Sequence, residues 1–510
     1  MSNLAEHLFL RAAERPGGIA LRFGNERYTF GELADQVRRT AGALSSIGVE
    51  EGSRVGLLMN SCPEFIIYQQ AVFALGAVLA PLNVFYRRSE IAHALCSCGI
   101  EFLIAGGDLL QELPAREAAG PLQIALTPRT SDARVSGLLA GEDLLAGSQP
   151  ITGIAELSEA SPGMMLNTSA TTGKSKGVVL TVGNIRSNYD RTPGWLGLGP
   201  GTRTLCALPL YNTFGLNQCI NALMVTGGEL VLMPRFDALR CMQLIEEHRC
   251  TFLPAVPTML QKIVDHPDAE HFDLGSLSRI MTGGAPVPSA LLERIRERIG
   301  EGVTVLTGYG LTEATALVTL EVVETGADGR IRRPKSIGRV LDGMELRISK
   351  ADGTNAQPGE VGEICVKGPN VMAGYHGMPE HTDAALQGGW LMTGDLGHVD
   401  EQGYAYIVDR KKDLIIRGGQ NVYPGEIEEV LYAVEGVSEV AVVGREDPVL
   451  GEVPVAWVAT AAGHHVTAAD LETACRRDLA YFKIPAAFHF LTELPKGPTG
   501  KILRRALAGR

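Results

Sequence analysis

Short apolar runs alternate along most of the chain with longer segments whose apolar positions recur every three to four residues. The run at 54–59 predicts a strand, 63–75 a helix and 78–82 the next strand. The same alternation returns around 204–209, 216–226, 229–234 and 238–248. Strands that alternate with helices predict βαβ units, and hence an α/β fold with a mainly parallel sheet between two layers of helices.

The pattern changes twice nearer the C-terminus. From about residue 336 the segments alternate apolar and polar positions between glycines, which predicts a smaller antiparallel sheet or barrel. After Asp409 a compact α+β unit is predicted, with helices at 424–434 and 468–479 and strands at 440–443, 454–460 and 488–492. The charged stretch 409–413 separates the two patterns and is the predicted boundary.

Composition and charge narrow the class of protein. The chain has 510 residues, 45% of them hydrophobic and 20% charged, which is ordinary for a globular protein with large cores. Its 46 basic and 58 acidic residues give a net charge of −12, and no basic run reverses this locally. Such a surface repels a phosphate backbone, so we expect no nucleic acid partner.

Cysteine usage and hydropathy predict a cytoplasmic protein. The nine scattered cysteines lack a zinc-ligand spacing, so we expect reduced and mostly buried thiols. The most apolar segment, 71–80, is about half a membrane span, and the N-terminus lacks a signal-peptide pattern, so no membrane insertion is expected. Amphipathic stretches at 5–13 and 33–44 are expected to be core helices or a subunit contact, and the latter would make a homodimer.

The most distinctive segment is Thr-Ser-Ala-Thr-Thr-Gly-Lys-Ser-Lys-Gly at 168–177, between two apolar runs. Hydroxyl groups, backbone N–H groups and lysines together suit a phosphate. A Walker A loop would need glycine at Thr168, so that motif is excluded. Taken alone, the segment is also compatible with an ordinary polar hairpin.

Four further segments have candidate chemistry, although each alone is more typical of a turn or a solvated charge. Glu313 places a carboxylate in a loop, Asp395 offers an acceptor for sugar hydroxyls, and Lys501 stands in a Gly/Pro-rich loop. The segments are Tyr-Gly-Leu-Thr-Glu at 309–313, Thr-Gly-Asp at 393–395, Gly-Gly-Gln-Asn-Val-Tyr-Pro at 418–424 and Leu-Pro-Lys-Gly-Pro-Thr-Gly-Lys-Ile-Leu at 494–503.

In this order and spacing the five segments resemble the adenylate-forming superfamily, and within it the acyl-CoA synthetases, over essentially the whole chain. The resemblance implies an N-terminal domain (1–409) of two α/β subdomains and a small β-barrel, a hinge (410–413) and a mobile α+β C-terminal domain (414–510). Such ligases convert a carboxylic acid and MgATP to an acyl-adenylate and pyrophosphate. They then rotate the C-terminal domain and transfer the acyl group to coenzyme A.

The resemblance also implies a nucleotide site. Glu313 matches the glutamate associated with Mg²⁺, Tyr309 the residue along the adenine and Thr312 a phosphate-contacting threonine. Asp395 matches the ribose-binding aspartate and Arg410 its neighbour. The other implied nucleotide-binding positions are Thr168, Ser169, Ala170, Thr171, Thr172, Gly173, Lys174, Lys176, Gly283, Gly284, Ala285, Pro286, Gly308 and Gly310.

Further positions are implied for catalysis and for the two other substrates. Lys501 matches the lysine that bridges the carboxylate and the α-phosphate during adenylation, and Lys412 lies at the hinge. Gly418 and Gly419 match the loop lining the pantetheine tunnel. A hydrophobic acid of medium, long or bulky alicyclic shape is expected, between Phe214, Ala255, Val256, Gly308 and Leu311.

Four departures from the family's pattern all concern adenylation. They are Ala170 for glycine, Ser175 for proline, Val182 for histidine and Asn212 for histidine. A Cβ at position 170 restricts positive φ, and asparagine hydrogen-bonds but has no charge to offer a developing anion.

Three hypotheses follow. The first is an ATP-dependent acyl-CoA ligase that tolerates a weakened phosphate loop. The second is a relative that receives a preformed acyl-adenylate from a separate adenylating enzyme and only transfers the acyl group to CoA. The third is an adenylation enzyme that loads a carrier protein, because pantetheine arms enter the same tunnel.

Overall fold

The computed structural model describes residues 3–114, 124–127, 139–168, 175–284, 287–300, 302–326, 330–461, 463–496 and 502–508. These residues form two compact units. The first contains the described residues of 3–168, 175–345 and 366–391, and the second those of 346–365 and 392–508.

The strands are β1 Ile19–Phe23, β2 Glu26–Thr29, β3 Arg54–Leu58, β4 Val78–Pro81, β5 Phe102–Ala105, β6 Ile124–Thr127, β7 Leu139–Ala140, β8 Pro162–Asn167, β9 Gly177–Thr181, β10 Arg203–Cys206, β11 Glu229–Leu232, β12 Phe252–Ala255, β13 Arg279–Gly283, β14 Thr304–Gly310, β15 Leu317–Val322, β16 Ser336–Val340, β17 Glu345–Ser349, β18 Gly362–Lys367, β19 Gly374–Tyr375, β20 Leu386–Gln387, β21 Trp390–Val399, β22 Ala405–Arg410, β23 Ile415–Arg417, β24 Gln420–Val422, β25 Val437–Asp447, β26 Gly451–Thr460 and β27 Ala487–Phe490.

The α-helices are α1 Glu6–Glu14, α2 Phe30–Ser46, α3 Pro63–Ala74, α4 Arg88–Ser97, α5 Gly141–Gly147, α6 Val182–Tyr189, α7 Thr192–Trp195, α8 Thr213–Gly215, α9 Ala222–Thr226, α10 Ala238–His248, α11 Pro257–Val264, α12 Ser289–Ile299, α13 Pro379–Ala385, α14 Pro424–Tyr432, α15 Ala468–Asp478 and α16 Arg504–Ala508. Single turns of 3₁₀-helix lie at Ala269–His271, Thr312–Ala314 and Tyr481–Lys483, a longer one at Gly107–Glu112, and a π-helix at Leu216–Asn221.

The first unit is built on two sheets with parallel centres. One has the order β16-β15-β14-β13-β12-β10-β11-β1-β2, parallel from β14 to β1. The other has the order β19-β9-β8-β4-β3-β5-β6-β7, parallel from β8 to β7. Helix α3, which connects β3 to β4, is buried at every position except Glu64. The α/β fold predicted from the alternation is therefore confirmed.

Local sequence signals explain where a representative helix begins and which face it buries. Thr29 precedes α2, and its hydroxyl accepts from the N–H of Glu32 (3.2 Å) while the Glu32 carboxylate accepts from the N–H of Thr29 (2.8 Å). This reciprocal pair satisfies two N–H groups that lack partners inside the helix. Leu33, Val37 and Leu44 then follow on one buried stripe.

One predicted helix contains a distortion that hydrophobic spacing does not reveal. The segment 216–226 begins with π-helical turns before α9. The buried Asn217 amide there donates to the Thr192 hydroxyl (3.0 Å) and to the Asn188 side-chain oxygen (3.3 Å). π-Helical turns shift the register of the side chains that follow them. Here that shift occurs beside the buried, hydrogen-bonded side chain of Asn217.

The second unit contains the predicted α+β arrangement. Strands β24-β23-β26-β25 form a sheet with β27 parallel to β26. Ile427 and Leu431 of α14 and Leu471 of α15 pack on Val442 and Val458. The unit also contains β18, β21 and β22, the last two antiparallel, ahead of the predicted boundary. The hinge at 410–413 and the small barrel remain predictions.

All nine cysteines are described, and all are free. Cys96 on α4 is exposed, Cys62 is partly buried, and the other seven are buried. Burial raises the pKa of Cys62, Cys241 and Cys250 to about 12. Among the described residues, no helix has the length and apolarity required to cross a membrane.

Candidate functional site

The predicted phosphate loop joins the antiparallel strands β8 and β9. Its closing residues are Thr168 and Lys176: the Thr168 N–H donates to the Lys176 carbonyl (3.0 Å), and the Lys176 N–H donates to the Thr168 hydroxyl (3.3 Å). These bonds fix both ends of the loop. The predicted site residues Ser169, Ala170, Thr171, Thr172, Gly173 and Lys174 lie outside the described residues.

Helix α4 supports the end of this loop through residues that sequence reasoning missed. The His93 Nε2 lies 2.8 Å from the Ser175 carbonyl oxygen. A Cβ at Gly177 would lie 2.9 Å from the Ser97 carbonyl oxygen, so the strand can approach α4 this closely because it has glycine there. Ser175, which stands where the family's pattern has proline, is thus contacted through its backbone carbonyl.

Glu313 lies on a short 3₁₀ turn directly after β14. Its carbonyl accepts from the Met372 N–H (2.9 Å), and its carboxylate Oε1 accepts from the Tyr375 hydroxyl (3.0 Å). The next residues are bound to the same segment, since the Thr315 hydroxyl donates to the Asn370 carbonyl (2.6 Å). Thr315 is buried with φ +67°, a strained conformation that the surrounding hydrogen bonds maintain.

Tyr375 links this turn to the phosphate loop. It lies in β19, where it pairs with Val178 of β9, and the Lys176 ammonium stands 4.1 Å from the centre of its ring. Burial and then the negative charge of Glu313 raise the pKa of Tyr375, so the phenol stays protonated and donates its hydrogen bond. No sequence motif singled out Tyr375; only the pairing of β19 with β9 identifies it.

Two glycines lie side by side where the adenine is predicted. Gly283 of β13 is in register with Gly308 of β14, and a Cβ at Gly283 would lie 2.8 Å from the Gly308 carbonyl oxygen. The pair leaves a stretch of sheet without side chains, with a buried Tyr309 next to it. Gly284 follows at φ +76°, and Gly310 approaches the Ala316 carbonyl too closely for a Cβ. Ala285 and Pro286 lie outside the described residues.

Asn212 has a structural task as well as a predicted catalytic one. It precedes α8 as its N-cap, and its Oδ1 accepts from the Gly215 N–H (3.0 Å).

The predicted acyl-pocket residue Phe214 packs against the cluster that contains Phe252, Met281 and Leu306. Of the four other predicted pocket residues, Ala255 ends β12 and Val256 follows it, while Gly308 lies in β14 and Leu311 follows that strand. Thr312 begins the 3₁₀ turn.

In the second unit the predicted ribose site is built on one strand pair. Asp395 of β21 is in register with Arg410 of β22, and Arg410 Nε donates to Asp395 Oδ1 (2.9 Å). The Asp395 side chain is only 5% exposed, so the ion pair orients a nearly buried carboxylate. Glu363, which sequence reasoning missed, accepts from the Gly394 N–H (3.0 Å) and pairs with Lys411 (2.8 Å), which fixes the turn before Asp395.

An arginine near the C-terminus connects the predicted hinge with the α+β fold of this unit. Arg504 of α16 contacts both carboxylate oxygens of Glu428 at 2.7 Å, Asp413 at 3.1 Å and Asp409 at 3.5 Å. Asp409 also accepts from the N–H of Gly425 (2.8 Å). Lys412 is exposed. Along the chain it lies between Asp409 and Asp413, two of the acidic residues that contact Arg504.

The predicted catalytic Lys501 lies outside the described residues, but both ends of its loop are described. Lys496 and Ile502 form an antiparallel bridge, and the Leu503 N–H donates to the Pro495 carbonyl (2.7 Å). Ile502 packs against the cluster of Val443, Trp457, Leu494 and Leu507. The described residues on either side of Lys501 are therefore held close together.

Gly418 and Gly419 form the two-residue turn between β23 and β24. Their φ values are +55° and +79°. A two-residue hairpin with positive φ at both turn positions favours glycine for conformational reasons, and neither residue is crowded by neighbouring atoms.

The comparison with known families agrees with this arrangement. The AMP-binding enzyme family matches residues 8–376, and the AMP-binding enzyme C-terminal domain matches residues 426–501. The chain therefore belongs to the AMP-binding enzymes of the adenylate-forming superfamily, as its motifs predicted.

Individual relatives place it among CoA ligases. It is 33% identical to the long-chain-fatty-acid–CoA ligase of Bacillus subtilis strain 168, over 97% of this chain and 92% of the relative. It is 34% identical to the 2-succinylbenzoate–CoA ligase of Bacillus pumilus strain SAFR-032, over 99% and 97%. The o-succinylbenzoate CoA synthetase of Bacillus subtilis, solved with its acyl-adenylate intermediate, superposes with a TM-score of 0.87 at 32% identity, over 99% and 98% of the two chains. The same enzyme has been solved with ATP and magnesium ion.

Proposed function

We propose that this protein is an ATP-dependent acyl-CoA ligase that converts a hydrophobic carboxylic acid to its CoA thioester through an acyl-adenylate. The observation that supports adenylation most strongly is the connection of Glu313 to Lys176 through Tyr375 (3.0 and 4.1 Å). It joins the predicted magnesium residue to the phosphate loop, and both of these act in adenylation. The CoA ligase activity named for the relatives supports the same reaction.

The residues around Glu313 fit a magnesium ion that ATP brings with it. One carboxylate oxygen of Glu313 accepts from Tyr375, which leaves the other for a cation. Within the described ranges no group of three or more His, Cys, Asp or Glu side chains forms a metal cage. Mg²⁺ is usually held by one or two carboxylates together with phosphates and water, so a single glutamate suits it. When bound, the ion offsets phosphate charge.

In the first half-reaction an oxygen of the substrate carboxylate attacks the α-phosphorus of ATP, and the bond to pyrophosphate breaks. We propose that Lys176 and the donors of the phosphate loop hold the leaving phosphates, and that Lys501 offsets the charge that develops at the α-phosphate. Asp395, a carboxylate acceptor oriented by Arg410, would hold the ribose hydroxyls.

In the second half-reaction the CoA sulfur attacks the acyl carbon, and AMP leaves with the electron pair of the broken C–O bond. We propose that the Gly418–Gly419 turn lines the path of the pantetheine arm. Both residues have positive φ, so the turn presents backbone without side chains.

A two-arm assay tests this function. Purified protein receives either free acid, MgATP and CoA, or the matching synthetic acyl-adenylate and CoA, and acyl-CoA is measured by mass spectrometry across a panel of acids. Product in both arms supports the ligase. Product only from the adenylate supports the transferase, the second candidate, which the uncharged Asn212 favours. If CoA fails in both arms but a carrier protein is acylated, the third hypothesis replaces both.

Substitution of Asn212 by histidine is expected to raise adenylation by about tenfold, since a cationic imidazole would stabilise developing phosphate charge by roughly 1 to 2 kcal/mol. Asn212→Asp is the matched control: it retains an N-cap oxygen for the Gly215 N–H but adds a negative charge, so adenylation should fall. Pyrophosphate release measures the first half-reaction. Transfer from a preformed adenylate should stay within about twofold in both variants. Equal rates in all three proteins would show that residue 212 does not meet the phosphate.

A further inference from the structure

We propose that Tyr375 is a positioning residue of adenylation: its hydroxyl orients Glu313 toward Mg²⁺, while the face of its ring holds the Lys176 ammonium beside the phosphates. The side chain of Tyr375 would then position both the metal-binding carboxylate of Glu313 and the phosphate-binding ammonium of Lys176. This inference rests on the proposed ligase function, because it assigns Tyr375 to the binding of MgATP.

The backbone around Tyr375 is fixed from both sides. The flanking N–H groups donate to β9 and its start, Ala373 to Val179 (3.0 Å) and His376 to Gly177 (2.8 Å). The Tyr375 N–H itself donates to the Thr382 hydroxyl of α13 (2.9 Å). With only 9% of the residue exposed, the ring has little freedom to turn. Its position is therefore set by the sheet and not by the groups it contacts.

The two contacts use different parts of the same ring system and suit opposite charges. The phenol O–H is a donor and meets the carboxylate Oε1 of Glu313 at 3.0 Å. The π-face carries partial negative charge and meets the Lys176 ammonium at 4.1 Å from the ring centre. Lys176 also closes the base of the phosphate loop. A substitution of Tyr375 would therefore affect the metal site through the lost hydrogen bond to Glu313, and the loop through the lost contact with Lys176.

The two routes can be separated by two substitutions. Tyr375→Phe keeps the ring under Lys176 and removes the hydroxyl that holds Glu313, whereas Tyr375→Leu removes both. Tyr189→Phe is the matched control, because Tyr189 is also buried in the first unit and its hydroxyl has no hydrogen-bond partner among the described residues. Urea unfolding midpoints identify any variant that is merely destabilised.

Isothermal titration of the full-length protein with ATP, in Mg²⁺ or in EDTA, provides a readout that needs no acyl substrate. Tyr375→Phe should weaken binding of MgATP by about tenfold and leave binding of metal-free ATP within about twofold, since a hydrogen bond to a charged group is lost at the metal residue alone. Tyr375→Leu should weaken metal-free ATP by about threefold as well, because Lys176 loses its support.

A double-mutant cycle decides whether Tyr375 acts through Glu313. In a Glu313→Gln background the effect of Tyr375→Phe on MgATP should disappear. An undiminished effect in that background, or an equal loss with metal-free ATP, would reduce Tyr375 to a purely structural role and overturn the inference. Unaltered MgATP binding by Tyr375→Phe would do the same. If the wild-type protein binds no MgATP, the proposed function itself fails, which is a distinct result.

Discussion

Adenylation should fall by about 10²–10³-fold when Lys501 is replaced by alanine, whereas transfer from a preformed adenylate to CoA should remain within a few-fold of the wild-type rate. The reason is that a lysine stabilises charge that develops only while the carboxylate attacks the α-phosphate. The described residues that flank Lys501 are joined by the antiparallel bridge between Lys496 and Ile502. Pyrophosphate release and acyl-CoA formation measure the two steps separately.

Lys496→Ala is the matched control for this prediction. Lys496 lies close to Lys501 in the chain, but its charge is already paired with the carboxylates of Glu439 and Glu493. Its loss should leave adenylation within about threefold. If Lys501→Ala slows both half-reactions to the same degree, or if Lys496→Ala matches it, the catalytic assignment of Lys501 is wrong.

Replacement of Arg504 by methionine should destabilise the protein by about 3 kcal/mol at pH 8, because it leaves the buried carboxylates of Asp409 and Glu428 without their counter-charge. The side chains of these two residues are 3% and 14% exposed. Arg505→Met, an adjacent and exposed arginine, is the matched control and should cost less than about 0.5 kcal/mol. Urea unfolding measures both.

The loss of folding stability caused by Arg504→Met, relative to the wild-type protein, should become smaller as the pH is lowered from 8 to 5. Burial already raises the pKa of Asp409 and of Glu428, and Arg504 opposes that rise. Without it both pKa values rise further, so the folded variant binds protons more readily than its unfolded chain. By linkage, stability relative to the wild type is then lost as pH rises through the raised pKa values and regained as pH falls. A deficit that stays constant across this range would rule out the carboxylates as its cause.

The sequence pattern predicts the elements of the fold well where their signals are local. The helices at 63–75 and 238–248 and the strand at 54–59 agree with the structure to within a residue. The π-helix at Leu216–Asn221 was not predictable in this way, because hydrophobic spacing does not reveal it. Its buried Asn217 hydrogen-bonds Thr192, which is distant in sequence.

The candidate site likewise contains residues marked by local sequence motifs and residues that become neighbours only on folding. The motifs point to Glu313, Asp395 and Arg410 as predicted site residues. Glu313 lies in a loop after a strand, whereas Asp395 and Arg410 lie within β21 and β22. Their supports, Tyr375 and Glu363, come from other strands and become neighbours only through pairing in the sheet. The structure also changes the interpretation of Ser175 and Asn212, which are departures from the family's pattern but have hydrogen-bonded tasks of their own.

The distribution of the thiols makes the phosphate loop accessible to spectroscopy. Cys96 is the one exposed thiol of nine, and it lies one turn after His93, the residue that contacts the Ser175 carbonyl. A maleimide fluorophore would therefore attach at a single predominant position, beside the base of the loop. Its emission would follow nucleotide binding in real time without any engineered cysteine.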